Sequence, residues 1–159
     1  MPLRSREIND SLSKDAIESL IRKSVKREIR KLNTTITTEL DQVTVGVTFD
    51  GHGAPIQPGS HCSIQVTKGF TLVSWTLISD ETGSIQIDVW RDTFANFPPT
   101  DADTITGSNE PAITSDNKNT DTTLTGWSTL VADGDILKFS VDSVTDIKRA
   151  TLILNGTRT

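Results

Sequence analysis

The sequence contains very little cysteine and histidine and no tyrosine. Among its 159 residues are one cysteine, Cys62, and two histidines, His52 and His61. A single thiol excludes a disulfide within the chain and a metal site built from several cysteines. Two histidines leave few candidates for the base that nucleophilic catalysis holds beside its nucleophile. We therefore expect a protein that is not an enzyme and that holds neither a cofactor nor a metal.

Long apolar runs are also missing. No stretch approaches the roughly 20 apolar residues that cross a bilayer, so membrane insertion is not expected. Residues 1–13 are polar with four charges, unlike the apolar core of a signal peptide, which predicts folding in a cytosol. Hydrophobic residues make up only 34% of the chain. A core this thin favours further burial against identical subunits.

Charge is distributed unevenly. Residues 1–32 contain nine Lys/Arg and five Asp/Glu, whereas residues 33–159 contain seven and sixteen. The acidic part repels phosphate, so no nucleic-acid partner is expected there. The basic part could bind nucleic acid or another acidic partner, but no aromatic residues are interleaved with its cations, and a solvated helix face explains them.

Residues 13–32 have the pattern of an amphipathic helix. Ser13 is a candidate N-cap. One face is apolar at the spacing of a helix, and its predicted oligomer or anchor contacts are Ile17, Ile21, Val25, Ile29 and Leu32. The spacing continues through Ile36 and Leu40 on threonine-rich sequence, which either extends a trimeric stalk or forms a linker.

From Val43 onward the apolar period changes from helical to two. The alternation predicts strands near 43–49, 61–67, 70–78, 84–90, 123–130, 135–142 and 147–155. The inward set of the third is Val73, Trp75 and Leu77. A long irregular segment, 91–122, interrupts the rhythm, and only residues 104–106 and 112–114 look strand-like within it. Strands without intervening helices predict a mainly β protein: an N-terminal helix (domain 1–42) and an antiparallel, jelly-roll-like β-sandwich (domain 43–159). Because a thin core favours association, we expect a trimer.

Three kinds of site can be weighed from the residues alone. His61 and Cys62 are adjacent, so on a strand they point to opposite faces and cannot act as a pair. The pairs Asp101/Asp103 and Asp133/Asp135 have the donor type of a calcium loop, but aspartate in turns is explained by local hydrogen bonds.

A glycan or receptor site is the remaining candidate. Exposed aromatic rings with flanking polar groups suit a sugar, and such a cluster follows one predicted strand: Trp90, Arg91, Asp92, Phe94 and Phe97. The alternative is that Trp75, Trp90 and Trp127 are core or subunit-contact residues.

Several segments of the β region resemble small tailed-bacteriophage virion proteins. They are Val47–Gly51, Gly83–Thr100, Asp103–Gly107 with Pro111, Leu124–Trp127 and Ala132–Leu137. The resemblance covers residues 43–159 and is most specific over Ile85–Pro99, while the helix lies outside it.

The resemblance implies a virion component: a head-fibre, head-decoration or tail-fibre domain, usually a homotrimer. It transfers no catalytic residues. The expected partners are other copies of the chain, other capsid or tail proteins and, as the alternative function, a host surface glycan or receptor. The expected location is the virion, assembled in the host bacterial cytoplasm.

Overall fold

The computed structural model describes residues 13–159, with residues 38–40 described by their backbone alone. Residues 1–12, part of the predicted anchor, lie outside the described residues. The described chain divides into two compact units: one helix, and the β unit from Asp41 to Thr159. The predicted boundary lay two residues later, between 42 and 43.

The helix, α1, spans Lys14–Leu40. Its N-terminus is capped as predicted, because the Ser13 hydroxyl accepts the Ala16 N–H at 3.2 Å. It continues eight residues beyond the predicted end at residue 32, so the linker alternative for most of 33–42 is wrong. In this extension the hydroxyls of Thr34, Thr35 and Thr37 donate to carbonyl oxygens four residues earlier at 2.9–3.1 Å. Among the described residues, no helix combines the length and apolarity needed to span a membrane.

The β unit consists of seven antiparallel strands with two one-turn 3-10 helices. The strands are β1 (Gln42–Asp50), β2 (His61–Gln65), β3 (Phe70–Asp92), β4 (Ala112–Asp121), β5 (Leu130–Val131), β6 (Ile136–Thr145) and β7 (Arg149–Arg158). The 3-10 helices are Phe94–Asn96 and Asp101–Asp103. The strand order is β1-β7-β3-β6-β2, with β4 and β5 also paired to β3. The predicted fold class, mainly antiparallel β after an N-terminal helix, is confirmed, while the trimer stays a prediction.

The 23-residue strand β3 organises the sheet. Its first half, Phe70–Ser79, pairs with β7, and its second half, Ser84–Asp92, pairs with β6. β4 pairs with the middle of β3. β3 changes its partner from β7 to β6 near Gly83, where a Cβ would lie 2.4 Å from the Thr145 carbonyl oxygen. This close approach explains why the position carries a glycine.

The core lies on the inner face of the curled sheet. Both halves of β3 contribute to it, and Leu77, Ile87 and Val89 are fully buried. Phe139 of β6 and Leu152 of β7 are also fully buried in the same cluster. Because side chains alternate along each strand, the opposite set on β3 and β6 faces outward.

Two local sequence predictions were wrong. Val73 is 41% exposed instead of inward, because a register shift between Leu72 and Ser74 places an extra residue in β3 opposite β7. Segment 123–130 is mainly a turn instead of a strand. Leu124 and Gly126 have positive φ values of 47° and 79°, which bend the chain before β5.

The irregular segment 91–122 contains a strand, β4, of which the sequence pattern indicates only the first three residues, 112–114. β4 is almost entirely exposed along the rest of its ten residues, so its side chains show no alternation there. Its backbone pairs with β3 from Trp75 to Ile78 and again near Ile85. Main-chain hydrogen bonding therefore defines most of this strand, beyond what its side chains indicate.

Candidate functional site

The outer face of the second half of β3 is the candidate site. Asp88 lies directly opposite Ser140 of β6, and Trp90 lies opposite Lys138. The neighbouring strand β2 pairs with the other edge of β6, and His61 lies opposite Ser140. Register therefore places an aspartate, a tryptophan and a lysine side by side on a polar face.

Asp88 is the most enclosed acidic group on this face, with 2% of its surface exposed. Its Oδ1 atom accepts hydrogen bonds from the Thr104 hydroxyl at 2.7 Å, the Thr106 hydroxyl at 2.5 Å and the Val89 N–H at 2.7 Å. Its Oδ2 atom accepts the Trp90 indole N–H at 2.6 Å. Four donors satisfy the carboxylate and tie the 104–106 segment to β3.

Trp90 is half-buried and held on two sides. Its indole N–H is used by Asp88, and the Lys138 ammonium lies 4.6 Å from its ring centroid. The same ammonium donates to the carbonyl oxygen of Pro99 at 3.3 Å, which ties the proline-rich loop to β6. Trp90 is thus held in one position on this face, and the Lys138 ammonium covers one side of its ring.

The structure separates the five predicted receptor residues into three groups. Arg91 follows the opposite alternation from Trp90 and donates to the Leu130 carbonyl oxygen, with Asp135 3.5 Å away. Trp90 belongs to the network of Asp88. The remaining three, Asp92, Phe94 and Phe97, lie together at the end of β3 and in the turn that follows.

That turn presents two aromatic rings to solvent. Phe94 is 67% exposed and Phe97 is 56% exposed. The Oδ1 atom of Asp92 accepts the Thr93 N–H at 2.6 Å and the Asn96 amide at 3.1 Å. We call Phe94 and Phe97 the aromatic shelf. Asp92 supports the shelf from the strand end.

An acidic cluster on the same face was missed by sequence reasoning. The carboxylates of Asp88, Glu110 and Asp142 lie within 4.8 Å of one another. Burial raises the pKa of the Asp142 carboxyl above its ordinary value, and the charges of Asp88, Glu110 and Asp101 raise it further. The three residues are far apart in the chain and come from different elements, so no local motif signals them.

The chemistry of this cluster is that of hard-cation donors, three carboxylates at short range. The protein already uses part of that capacity. All four donors on Asp88 belong to the chain, and Glu110 accepts a hydrogen bond from the Gln86 amide. The cluster is therefore best described as a strained, like-charged patch beside Trp90.

The carboxylates weighed as calcium ligands have structural roles. The Asp103 Oδ2 atom accepts the Thr100 N–H and hydroxyl, both at 2.8 Å, which forms a capping box and lowers the pKa of Asp103. Asp133 accepts the Gly69 N–H, and Asp135 accepts the Ala132 N–H at 2.8 Å. Asp103 and Asp135 thus stabilise their own turns, and Asp133 ties its turn to the start of β3.

The histidine and cysteine side chains do not form a catalytic pair. His61 is exposed at the start of β2 and its Nδ1 lies 3.0 Å from the Gly59 carbonyl oxygen. Cys62 is half-buried, and desolvation raises the pKa of its thiol. His52 stands in a turn with φ 55° beside Asp50. A protonated thiol without a histidine beside it is a poor nucleophile.

The second surface of interest is the apolar stripe of α1. Its large side chains remain exposed to between 44% and 61%, namely Ile17, Leu20, Ile21, Val25, Ile29, Leu32 and Ile36. All five predicted oligomer contacts belong to this stripe. The polar side of α1 carries six Lys/Arg and one Glu within residues 22–31.

Comparisons with known proteins give distant likenesses only. No family model and no curated protein matches the chain. Among solved structures, RmlC from Streptococcus suis in complex with dTDP-D-xylose aligns at 11% identity and a TM-score of 0.29, over 76% of this chain and 47% of that chain. The chain thus spans about half the length of that protein.

Two further solved structures align at similar levels. One, described as CBM4 structure and function, is 15% identical over 73% of this chain and 81% of its own, with a TM-score of 0.29. The other, infectious bursal disease virus Gx strain, is 9% identical over 75% of this chain and 35% of its own, with a TM-score of 0.26. Likenesses with TM-scores this low carry no argument about function.

Proposed function

We propose that this chain is a non-enzymatic structural protein of a bacteriophage particle, a head-fibre, decoration or tail-fibre component. In this proposal three copies join through α1, and the β unit forms the outward part. The observation that carries the proposal is the exposed apolar stripe of α1. The resemblance of residues 43–159 to phage virion proteins supplies the biological setting.

The stripe favours burial against another surface. Seven large apolar side chains are about half exposed along α1. Completing the burial of each is worth on the order of 1 kcal/mol per copy. A lone helix with threonines in its last turns is marginal in water, since most helix stability in proteins comes from packing an apolar face. Burial of the stripe therefore provides the stability that the sequence of α1 lacks.

Other copies of the same helix are the partner that best fits this stripe. Ile, Val and Leu dominate it, as they do the buried seams of helical assemblies, and we propose three copies. The apolar set Ile21, Val25 and Ile29 recurs eleven residues later in the sequence as Leu32, Ile36 and Leu40. An eleven-residue repeat gives 3.67 residues per turn and a right-handed supercoil. The proposed stalk is a right-handed three-helix assembly.

The basic side of α1 faces outward in such an assembly. Three copies would present eighteen Lys/Arg and three Glu over residues 22–31. This basic collar suits an acidic surface on another capsid or tail protein, which would anchor the trimer. The acidic β unit, with seven Lys/Arg and fifteen Asp/Glu in residues 41–159, would remain in solvent.

The experiment uses particles of the encoding phage. Purified particles analysed by mass spectrometry should contain the chain at a copy number divisible by three. Particles produced with the Ile29→Asp variant should lack it, because the charge disrupts the stripe. Ser19→Asp introduces the same charge two residues from both Ile17 and Ile21, about 200° around the helix from each, and should still be incorporated. Absence of the wild-type chain from particles would refute the proposal.

A further inference from the structure

We propose that the aromatic shelf, Phe94 and Phe97, binds a neutral oligosaccharide. Phe94 is the most exposed large apolar side chain among the described residues, at 67%, and Phe97 is 56% exposed. Neither ring serves the core of the β unit. Exposed phenylalanines contribute to stability only when a ligand or another surface covers them.

The shelf is held in place without a ligand. The Asn96 N–H donates to the Thr93 carbonyl oxygen at 3.1 Å, and the Phe97 N–H donates to the Phe94 carbonyl oxygen at 3.3 Å. In a 3-10 turn, side chains three residues apart project to the same side. The two rings therefore share one side of a hydrogen-bonded turn, so little ordering entropy is lost on binding.

Both ends of the shelf are fixed to the sheet. On the N-terminal side, Asp92 caps the turn through its bonds to Thr93 and Asn96. On the C-terminal side, Pro99 is buried and its carbonyl oxygen accepts the Lys138 ammonium. Lys138 in turn lies over Trp90. The rings project from an anchored loop instead of a loose one.

The size of the shelf favours a small ligand over a protein. Two phenylalanines at these exposures offer about 200–300 Å² of accessible surface. A stable protein interface buries about 800 Å² on each partner. A few sugar rings match the smaller area, because the C–H face of a pyranose stacks on an aromatic ring while its hydroxyls remain at the edge.

The polar groups beside the shelf favour a neutral, hydroxyl-rich ligand. The Asn96 amide and the Asp92 carboxylate flank the rings and suit sugar hydroxyls. Asp101 and Asp103 follow in the next turn, and the whole β unit has a net charge of −8 from seven cations and fifteen carboxylates. An anionic polysaccharide would be repelled by this field. The ligand that fits these polar groups and this charge is an uncharged oligosaccharide.

The test is isothermal titration calorimetry on the full chain with four probes. Three are neutral hexaoses, of β-1,4-glucose, β-1,4-N-acetylglucosamine and α-1,6-mannose, and the fourth is heparin as an anionic control. We expect at least one neutral hexaose to bind and heparin not to bind. The double variant Phe94→Ala/Phe97→Ala should weaken the binding about tenfold or more, as loss of two stacking surfaces predicts.

Matched variants separate stacking from folding and from assembly. Ile78→Ala removes a 43% exposed side chain from the other half of β3 and should leave binding unchanged. Phe94→Trp/Phe97→Tyr keeps two rings and should retain binding. The mass in solution should be the same in every variant, so this inference can fail while the proposed assembly stands. Binding by no neutral hexaose, or equal binding by the double alanine variant, would overturn it, and binding of heparin alone would replace the sugar with an anion.

Discussion

The Asp88 carboxylate accepts the Trp90 indole N–H at 2.6 Å, two residues along the same outward side of β3. The same carboxylate accepts the hydroxyls of Thr104 and Thr106. One nearly buried acid therefore fixes a tryptophan and holds the segment that returns along the edge of β3. Because the aromatic shelf lies in the loop between these two attachments, Asp88 stabilises the frame of the site.

Removing this carboxylate should destabilise the β unit. In Asp88→Ala, the Trp90 indole N–H and two threonine hydroxyls lose their acceptor in a buried setting, so we expect a loss of about 3 kcal/mol in the free energy of unfolding. Urea unfolding followed by tryptophan fluorescence measures it. Asp116→Ala is the matched control, since Asp116 is exposed, and it should change stability by less than about 0.5 kcal/mol. Equal stability of the two variants would contradict the role of Asp88.

Gly83 lies where β3 passes close to the end of β6. A Cβ at this position would lie 2.4 Å from the Thr145 carbonyl oxygen and 2.8 Å from a side-chain carbon of Ile147. We expect Gly83→Ala to cost about 2–3 kcal/mol through overpacking. In Gly46→Ala the added carbon meets nothing closer than 3.9 Å, and thermal unfolding should show no loss. A Gly83→Ala variant as stable as Gly46→Ala would show that this position tolerates a side chain.

Because of the bulge in β3, the adjacent residues Leu72 and Val73 should differ strongly in how much they contribute to stability. Leu72 is 3% exposed, whereas Val73 is 41% exposed. Leu72→Ala should lower the free energy of unfolding by about 3 kcal/mol through the cavity it leaves. Val73→Ala should lower it by less than about 1 kcal/mol. If chemical denaturation showed a larger loss for Val73→Ala than for Leu72→Ala, Val73 would face inward as the sequence pattern predicts.

The pH dependence of stability should report the acidic cluster. Desolvation, together with the charges of Asp88, Glu110 and Asp101, raises the pKa of Asp142 in the folded state. The folded state then binds its proton more tightly than the unfolded state, so this contribution is fully present below the unfolded pKa and is lost as pH rises through the folded pKa. Asp142→Asn removes the penalty of the ionised group.

The measurement is the melting temperature of wild type and of Asp142→Asn between pH 4 and pH 7. The variant should be more stable than wild type at pH 7, and the difference should shrink toward pH 4 as the wild-type carboxyl takes up its proton. Asp103→Asn is a control of opposite sign: hydrogen bonds from Thr100 lower the pKa of Asp103, so this variant should be less stable than wild type at pH 7. A constant difference for Asp142→Asn would contradict the like-charge cluster.

The sequence predicted the elements whose side chains repeat with a clear period. The helix beginning after Ser13 and the buried rows of β6 and β7 follow from periodicity alone, because one face of each is apolar. Only residues 112–114 of β4 were indicated, because main-chain pairing forms the rest of it. Val73 was misplaced because a bulge shifts the alternation without changing any residue type.

The candidate site was partly predictable for the same reason. Phe94 and Phe97 are close in sequence and belong to one hydrogen-bonded turn, so the aromatic cluster could be seen in the chain. Arg91 was grouped with them by sequence distance, although strand alternation directs it to the other side. The cluster of Asp88, Glu110 and Asp142 depends on the register between β3 and β6 and on the path of the loop before β4, which no local pattern contains.

The central claim is that α1 joins three copies of the chain, and light scattering of the full chain in solution tests it most directly. The account predicts a mass of about 52 kDa, three times the 17.3 kDa of one chain. Ile29→Asp should reduce the mass to 17.3 kDa, while Ser19→Asp should leave the trimer intact. A wild-type mass of 17.3 kDa, or a trimer that persists in Ile29→Asp, would contradict assembly through the stripe.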